Sequence, residues 1–263
     1  MTELIGAQKD IYEHFSDVAV LYNNLRTTDL EPVIFIKNMM NGNGNIAAAD
    51  IGCGAGRYSL QFLLHLDLHH LACIDVNESM LEQASSTLRA AGLANFSTIE
   101  SAAEQIQLTD NSIDYIFTFN AIHHFDFLAF MQEAARIASD GGSIIIYTRL
   151  RSQNAENIWG KHFPFFLTKE NRLYDMDELE QMITTIPALN IQCVKRFRYL
   201  RTASLGQLVN LARNRHYSTF SLYGNEEFAS ALKGLQRNIT RHFSDPEHIK
   251  WFDEYTMLVV NCS

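Results

Sequence analysis

The chain has 263 residues, 47% of them apolar, and a formal net charge of −9. That length and apolar fraction suffice for one large α/β domain with a substantial core, while the acidic balance argues against a broad footprint for nucleic acid or an anionic membrane. No apolar run approaches the ~20 residues of a membrane span, and Met1-Thr2-Glu3-Leu4-Ile5-Gly6 lacks a basic region followed by an apolar core, so a cytoplasmic protein is expected.

Residues 8–26 place Ile11, Phe15, Val18, Tyr22 and Leu25 at three-to-four spacing, the pattern of an amphipathic helix or two. Tyr22 and Arg26, four apart, share a face. Glu31-Pro32 opens a second helix, with proline near its first turn, that runs out at Asn41-Gly42-Asn43-Gly44-Asn45.

Next comes Ala47-Ala48-Ala49-Asp50-Ile51-Gly52-Cys53-Gly54-Ala55-Gly56-Arg57-Tyr58, a small apolar run that ends in a carboxylate and a glycine-rich turn and then opens into a helix to Leu66. Glycines at 52, 54 and 56 permit a tight strand-to-helix turn against which a ligand can lie, and the helix presents free N–H groups to an anionic part of it. Leu71-Ala72-Cys73-Ile74-Asp75 then reads as a second strand ending in an acceptor for two ribose hydroxyls. The NAD fingerprint wants a third glycine three residues beyond the second, where this chain has Arg57. Asp50 would also repel a pyrophosphate and attract a cation.

Glu78 to Ala91 reads as a helix with Gly92 at its C-cap, and Phe96–Glu100 as a third strand. Asn111-Ser112-Ile113-Asp114 leads into a fourth strand, a helix spans about Leu128 to Ala138, and Gly141-Gly142 leads into a fifth strand. Such alternation implies a parallel sheet. Beyond Arg149 it loosens into an aromatic-rich connection carrying Trp159, Phe163, Phe165 and Phe166, a helix over Asp177–Ile186, and strands over Asn190–Tyr199 and Trp251–Val260. Between those two strands lie helical patterns at about 204–214 and 225–243, an insertion of a size that is usually functional.

Four ordered segments resemble the class I S-adenosylmethionine (SAM) methyltransferases, in particular the ubiquinone/menaquinone-biosynthesis-like small-molecule enzymes. They are Asp50-Ile51-Gly52-Cys53-Gly54-Ala55-Gly56; Ile74-Asp75-Val76-Asn77-Glu78-Ser79-Met80-Leu81; Asp114 through Phe119 to Asn120-Ala121-Ile122-His123-His124-Phe125; and Gly141-Gly142-Ser143-Ile144-Ile145-Ile146-Tyr147. The resemblance implies a Rossmann-like α/β fold: a seven-stranded, mostly parallel sheet with an antiparallel last strand and helices on both faces. It further implies a single domain over 1–263, with N-terminal lid helices at 8–41 and a helical cap inserted between strands six and seven at 202–248. SAM is the expected donor and S-adenosylhomocysteine its product. The methionine moiety would be bounded by Asp50, Gly52, Gly54, Gly56 and Asn120, with Tyr22 and Arg26 closing from the lid. Asp75 would take the ribose, with Val76, Ala103 and Glu104 near the base, and Met80 is a further cofactor-binding candidate. Where relatives carry an aspartate for the adenine amino group, this chain has Ala102.

The expected reaction is in-line transfer of the methyl group to a small organic acceptor, carried mainly by alignment and exclusion of water. His123 and His124 are the candidate bases; neighbouring residues diverge, so only one can face the methyl group, and His124 is preferred. Within the cap, Arg213, Arg215, His216 and Tyr217 form the most site-like cluster. No metal is expected: His65, His69 and His70 are a candidate run, with His65 and His69 read as sharing a helix face, but they lack a glutamate beside the first histidine and a nearby cysteine pair, and Cys53, Cys73, Cys193 and Cys262 lack Cys-x-x-Cys spacing and are expected reduced. The rival readings are a SAM-binding partner without chemistry and, disfavoured by Arg57, a nicotinamide-dependent oxidoreductase. Nucleic-acid and membrane partners are not expected, and neither the acceptor nor the oligomeric state can be read from the chain.

Overall fold

The computed structural model describes residues 15–16, 26–40 and 45–263. The expected lid helices over 8–41 therefore fall partly outside the described residues, and Tyr22 lies outside them entirely. The chain divides into two compact units. Of the described residues, the larger holds those within 27–148, 174–196 and 256–263, and the smaller holds Phe15, Ser16, Arg26, 149–173 and 197–255.

A seven-stranded sheet is built from β1 (Ile46–Ile51), β2 (Leu68–Asp75), β3 (Phe96–Glu100), β4 (Ile113–Phe119), β5 (Ala138–Thr148), β6 (Leu189–Ala203) and β7 (Ile249–Cys262), in the order β3-β2-β1-β4-β5-β7-β6. β1 pairs parallel to both β2 and β4, β2 to β3, and β4 to β5, while β7 runs antiparallel to β5 from Ser143↔Asn261 to Thr148↔Thr256. The expected mostly parallel sheet is thus borne out. Strand order runs outward in both directions from β1, and right-handed crossovers then send the two sets of connections to opposite faces. The reversal between β1 and β4 is a topological switch point, outside whose carboxyl ends a ligand crevice opens in such sheets.

In the larger unit, α1 (Glu31–Met39) starts with proline in its first turn, as expected, and buries Val33 and Ile36. The helix after the glycine turn, α2 (Arg57–His65), buries Tyr58 and Phe62. Their rings lie 4.5 Å from Phe119 and 4.3 Å from Phe117 on β4, a contact that fixes the helix over the strand it must flank. α3 (Glu78–Ala90) is capped by Asn77, whose Oδ1 accepts from the Met80 N–H, and Gly92 follows it at φ +77°. α4 (Phe127–Ile137) is capped by Asp126, and later in the chain α8 (Met176–Thr184) carries a capping box from Asp175 and Glu178.

No helix joins β3 to β4. The connection 101–112 is held instead by two side chains of α4. Arg136 Nη1 donates to Leu108 O and Nη2 to Ile106 O, each at 3.0 Å; Arg136 also bonds Asp110, and the Ile106 N–H donates to Glu133 Oε1 at 2.6 Å. A planar guanidinium with five donors can satisfy several carbonyls at once, which a helix would otherwise satisfy internally.

The histidine run differs from expectation. His65 ends α2, but His69 and His70 belong to β2, so His65 and His69 share no helix face; His70 Nε2 lies 3.0 Å from Ser97 Oγ. Among the described residues no three metal-ligating side chains converge, and no helix is long and apolar enough to cross a membrane.

The smaller unit has its own core. Trp159, Phe163 and Phe166 are each 2% exposed and pack with Phe220, Leu208, Leu235 and Ile239, so these aromatics from the connection after β5 are core residues, whereas Phe165 is exposed. In chain order this unit contributes α5 (Arg151–Glu156), α6 (Ile158–His162), α7 (Phe166–Lys169), α9 (Leu205–Arg213) and α10 (Asn225–His242). The last two stand at the helical patterns expected between strands six and seven.

Candidate cofactor site

Four loops leave the carboxyl ends of β1 to β4, and the larger unit stitches them together. Gly52 has φ +71°, and a methyl group there would stand 2.5 Å from Ala121 Cβ and 2.8 Å from Phe125 Cζ, so the β1 loop closes directly on the β4 loop. The Gly54 N–H donates to Asp75 Oδ2 at 2.8 Å, joining the β1 loop to the end of β2. Asp75 O accepts from the Ser101 N–H at 3.0 Å, and Glu104 Oε1 from the Asp126 N–H at 2.7 Å, which carries the rim through the β3 loop to the start of α4.

The glycines have distinct tasks. Gly56, at φ +76°, is the N-cap of α2, and a Cβ there would meet Ala84 Cβ at 2.9 Å, so its missing side chain lets α2 approach α3. That is the packing a dinucleotide fingerprint assigns to its third glycine. Arg57 does something else: it bonds Thr27 O and Thr28 Oγ1 and lies 4.4 Å over the Tyr58 ring, tying the incoming chain to the turn.

The two expected carboxylates sit in different surroundings. Asp75 Oδ1 accepts from the Asn77 N–H at 3.0 Å as Oδ2 does from Gly54; burial raises its pKa above the ordinary carboxylate value, against the lowering effect of these N–H groups. The next residue, Val76, is 56% exposed, an apolar platform beside a fixed acceptor. Asp50 is only 1% exposed, and its Oδ2 accepts from Ser59 Oγ at 2.5 Å. Burial pushes its pKa up to about 7, opposed by the Ser59 bond, with Asp75 adding to the rise. Ser59 was not among the expected site residues. Its place in the first turn of the helix after the glycine turn is the signal that marks it.

Met80 and Ala103 are buried, and an open depression beside Ala102 is lined by Ser101, Gln105, Ile106 and Gln107. Asn120 follows β4 at φ +57°, a left-handed conformation that costs free energy outside glycine, and its N–H donates to Tyr147 O at 2.7 Å. Beyond it, the 3₁₀ turn Ile122–His124 brings the two histidine rings to 4.1 Å between centroids. The two rings lie beside one another and do not diverge as expected. Arg26 belongs to the smaller unit, 4.3 Å over the Tyr217 ring.

Residues 49–146, the span from β1 to β5 that contains these four loops, match the family described as a methyltransferase domain, which bears out the resemblance over that segment. A Dictyostelium discoideum protein described as a methyltransferase is 25% identical over 168 residues, 62% of this chain and 61% of its own. The methyltransferase YcgJ of Bacillus subtilis is 32% identical over 98 residues, 37% of this chain and 38% of its own. The chain thus spans less than two thirds of either relative's length. The crystal structure of B. subtilis YcgJ superposes with a TM-score of 0.63 at 17% identity, covering 89% of this chain and 99% of that one. The [4+2]-cyclase SpnF has the same fold, at a TM-score of 0.58 and 15% identity over 89% of this chain and 79% of that one. Fold likeness of this kind establishes architecture, and the chemistry has to be argued from the site.

Proposed function

We propose that this chain is a cytoplasmic SAM-dependent methyltransferase that acts on a small organic acceptor. The observation that carries the reading is the carboxylate of Asp75, fixed by the Gly54 and Asn77 N–H groups at the end of β2 with the exposed Val76 beside it, inside the segment that matches a methyltransferase domain. A fixed acceptor next to an apolar platform suits a ribose and its base. SAM when bound supplies a methyl group already made electrophilic by its sulfonium. The chain would bind the ribose through Asp75, rest the base against Val76 and the Ala103–Glu104 turn, and bound the methionine end with Gly52, Gly54 and Asn120. Asp50 acts from below the glycine turn, where its bond to Ser59 holds α2 in place and its charge, gained as pH rises past about 7, favours a cation. His123 and His124 stand on the turn after β4, where one of them can take a proton from a hydroxyl or carbon acid; a thiolate or amine acceptor needs no such help. Four cysteines, all free thiols, suit a reducing compartment.

Calorimetric titration with SAM, S-adenosylhomocysteine and NAD in parallel tests the donor. Micromolar binding of both adenosyl ligands and none of NAD is expected; the reverse order would overturn the reading. Asp75→Ala should weaken S-adenosylhomocysteine by about 1.5–3 kcal/mol through loss of a charged acceptor, and unchanged affinity would move the ribose elsewhere. For His123→Ala and His124→Ala, one of the two should lose kcat by about 10²–10⁴-fold with cofactor affinity intact if a base is used. Equal, small effects from both would leave alignment alone to carry the reaction.

A further inference from the structure

In the smaller unit the basic residues expected to cluster have separate surroundings. Arg213 is exposed, and Arg215 is turned to Phe220 O and Asn225. Arg149, its side chain 8% exposed, is enclosed by the Tyr217 and Tyr255 hydroxyls, at 3.3 and 2.7 Å, and by Asp253 at 3.1 Å. Exposed polar groups gather instead in the larger unit, on the connection from β3 to β4.

That connection folds back just where it leaves the ribose acceptor. Glu100 pairs with Asp75 across the two strands, and the Ser101 N–H donates to Asp75 O at 3.0 Å. Ala102 and Gln105 are the two ends of the turn that follows. The Gln105 N–H donates to Ala102 O at 3.2 Å, and Ser101 Oγ donates to Gln105 O at 2.6 Å. A turn of this kind brings its end residues within about 7 Å, so the long Gln105 side chain starts beside the methyl group of Ala102. The next residue, Ile106, is pinned on both sides, its N–H by Glu133 and its carbonyl by Arg136.

The depression beside this turn measures about 430 Å³, a size that small-molecule sites share. Its lining is Ser101, Ala102, Gln105, Gln107 and the buried Ile106; Ala102, Gln105 and Gln107 are exposed, and among the described residues none that line it is charged. Glu104, inside the turn, is tied to the Asp126 N–H at 2.7 Å. The Ser101 hydroxyl is spent on main-chain carbonyls, which makes the two carboxamides the polar groups of the lining that can meet a ligand as both donor and acceptor. A donor and an acceptor side by side complement the edge of a neutral heterocycle that carries the same pair.

We propose, resting on the cofactor reading, that Gln105 reads the cofactor's nucleobase, its carboxamide accepting from the 6-amino group of adenine and donating to N1. An ionised carboxylate in that role could only accept, and would repel a 6-oxo group. A carboxamide turned through 180° donates to the 6-oxo oxygen of hypoxanthine and accepts from its N1–H. The site therefore takes an inosyl cofactor about as readily as an adenosyl one.

Calorimetric titration of the full chain with S-adenosylhomocysteine and its deaminated analogue, S-inosylhomocysteine, is the test. The wild type should bind both, with affinities within about tenfold of one another, and Gln105→Ala should weaken each by about threefold to tenfold. Gln105→Glu keeps the length and the acceptor but loses the donor, and should weaken S-inosylhomocysteine at least about tenfold more than S-adenosylhomocysteine. Position 105 is exposed, so both variants should fold. Gln107→Ala, in the same lining, should leave both affinities within about twofold. Three results would overturn the assignment: unchanged affinities in Gln105→Ala, a wild type that rejects S-inosylhomocysteine by more than about tenfold, or a larger loss from Gln107→Ala than from Gln105→Ala. A wild type that binds neither ligand removes the cofactor reading and this assignment together. Binding of S-adenosylhomocysteine that Gln105→Ala leaves unchanged removes this assignment alone.

Discussion

Gly52→Ala is expected to destabilise the protein by about 2–5 kcal/mol and to abolish measurable S-adenosylhomocysteine binding. Two costs combine. An alanine at φ +71° is strained wherever it sits, and here its methyl group would also stand 2.5 Å from Ala121 Cβ, an atom that can retreat only if the backbone after β4 retreats with it. That displacement passes directly to Asn120 and the two histidines. Gly92→Ala separates the two costs, because Gly92 has φ +77° with nothing within 4 Å of an added Cβ. It should lose only the strain, about 1–2 kcal/mol, and keep its ligand. Denaturant unfolding and titration of both variants make the comparison, and a Gly52→Ala protein no worse than Gly92→Ala would show that the interlock of the β1 and β4 loops is not needed.

Asp50→Asn is expected to remove a pH dependence of stability worth about 4 kcal/mol. In the unfolded chain this carboxyl loses its proton near its ordinary value of 3.8; in the folded protein it holds the proton to about 7. Between those values the folded state binds more protons than the unfolded one, so this group's contribution to stability falls as pH rises from about 4 to about 7, and is level above that. Asparagine is neutral throughout and can still accept from Ser59. The variant should therefore be more stable than wild type at pH 8 and close to it at pH 4. Unfolding curves across that range check the slope, and parallel pH profiles for the two proteins would contradict the assignment.

The inner strands were legible because β1, β2 and β4 are short apolar runs bounded by polar turns. Phe96–Glu100 has the same bounds in the structure as in the sequence reading, and the helices from Glu78, Leu205 and Asn225 begin within a residue of expectation. His69 and His70 were misplaced because Leu66 and Leu68 continue an apolar spacing that suits a helix as well as a strand, and only pairing with β1 and β3 resolves it. The site was legible as residue types but not as contacts. Gly52 reads as room for a ligand, yet its space is filled by Ala121 and Phe125; Asp50 reads as an open charge, yet it is buried under Ser59. The partners of Arg149 could not be read at all, since Tyr217 and Asp253 are far from it in the chain and no periodicity links them. Local spacing carries faces of helices and strands, whereas long-range juxtaposition depends on the path between them.

Arg136 and Glu133 hold the connection from β3 to β4 in place of a helix, and that connection carries Ala103 and Glu104. Any molecule that rests on those two residues meets a surface whose ordering entropy was spent when the protein folded. Were the guanidinium lost, the same contacts would form with the same enthalpy, but the ligand would have to immobilise the segment itself. A side chain that touches no ligand can thus set affinity through −TΔS alone, and variation at position 136 would tune binding without altering what is bound.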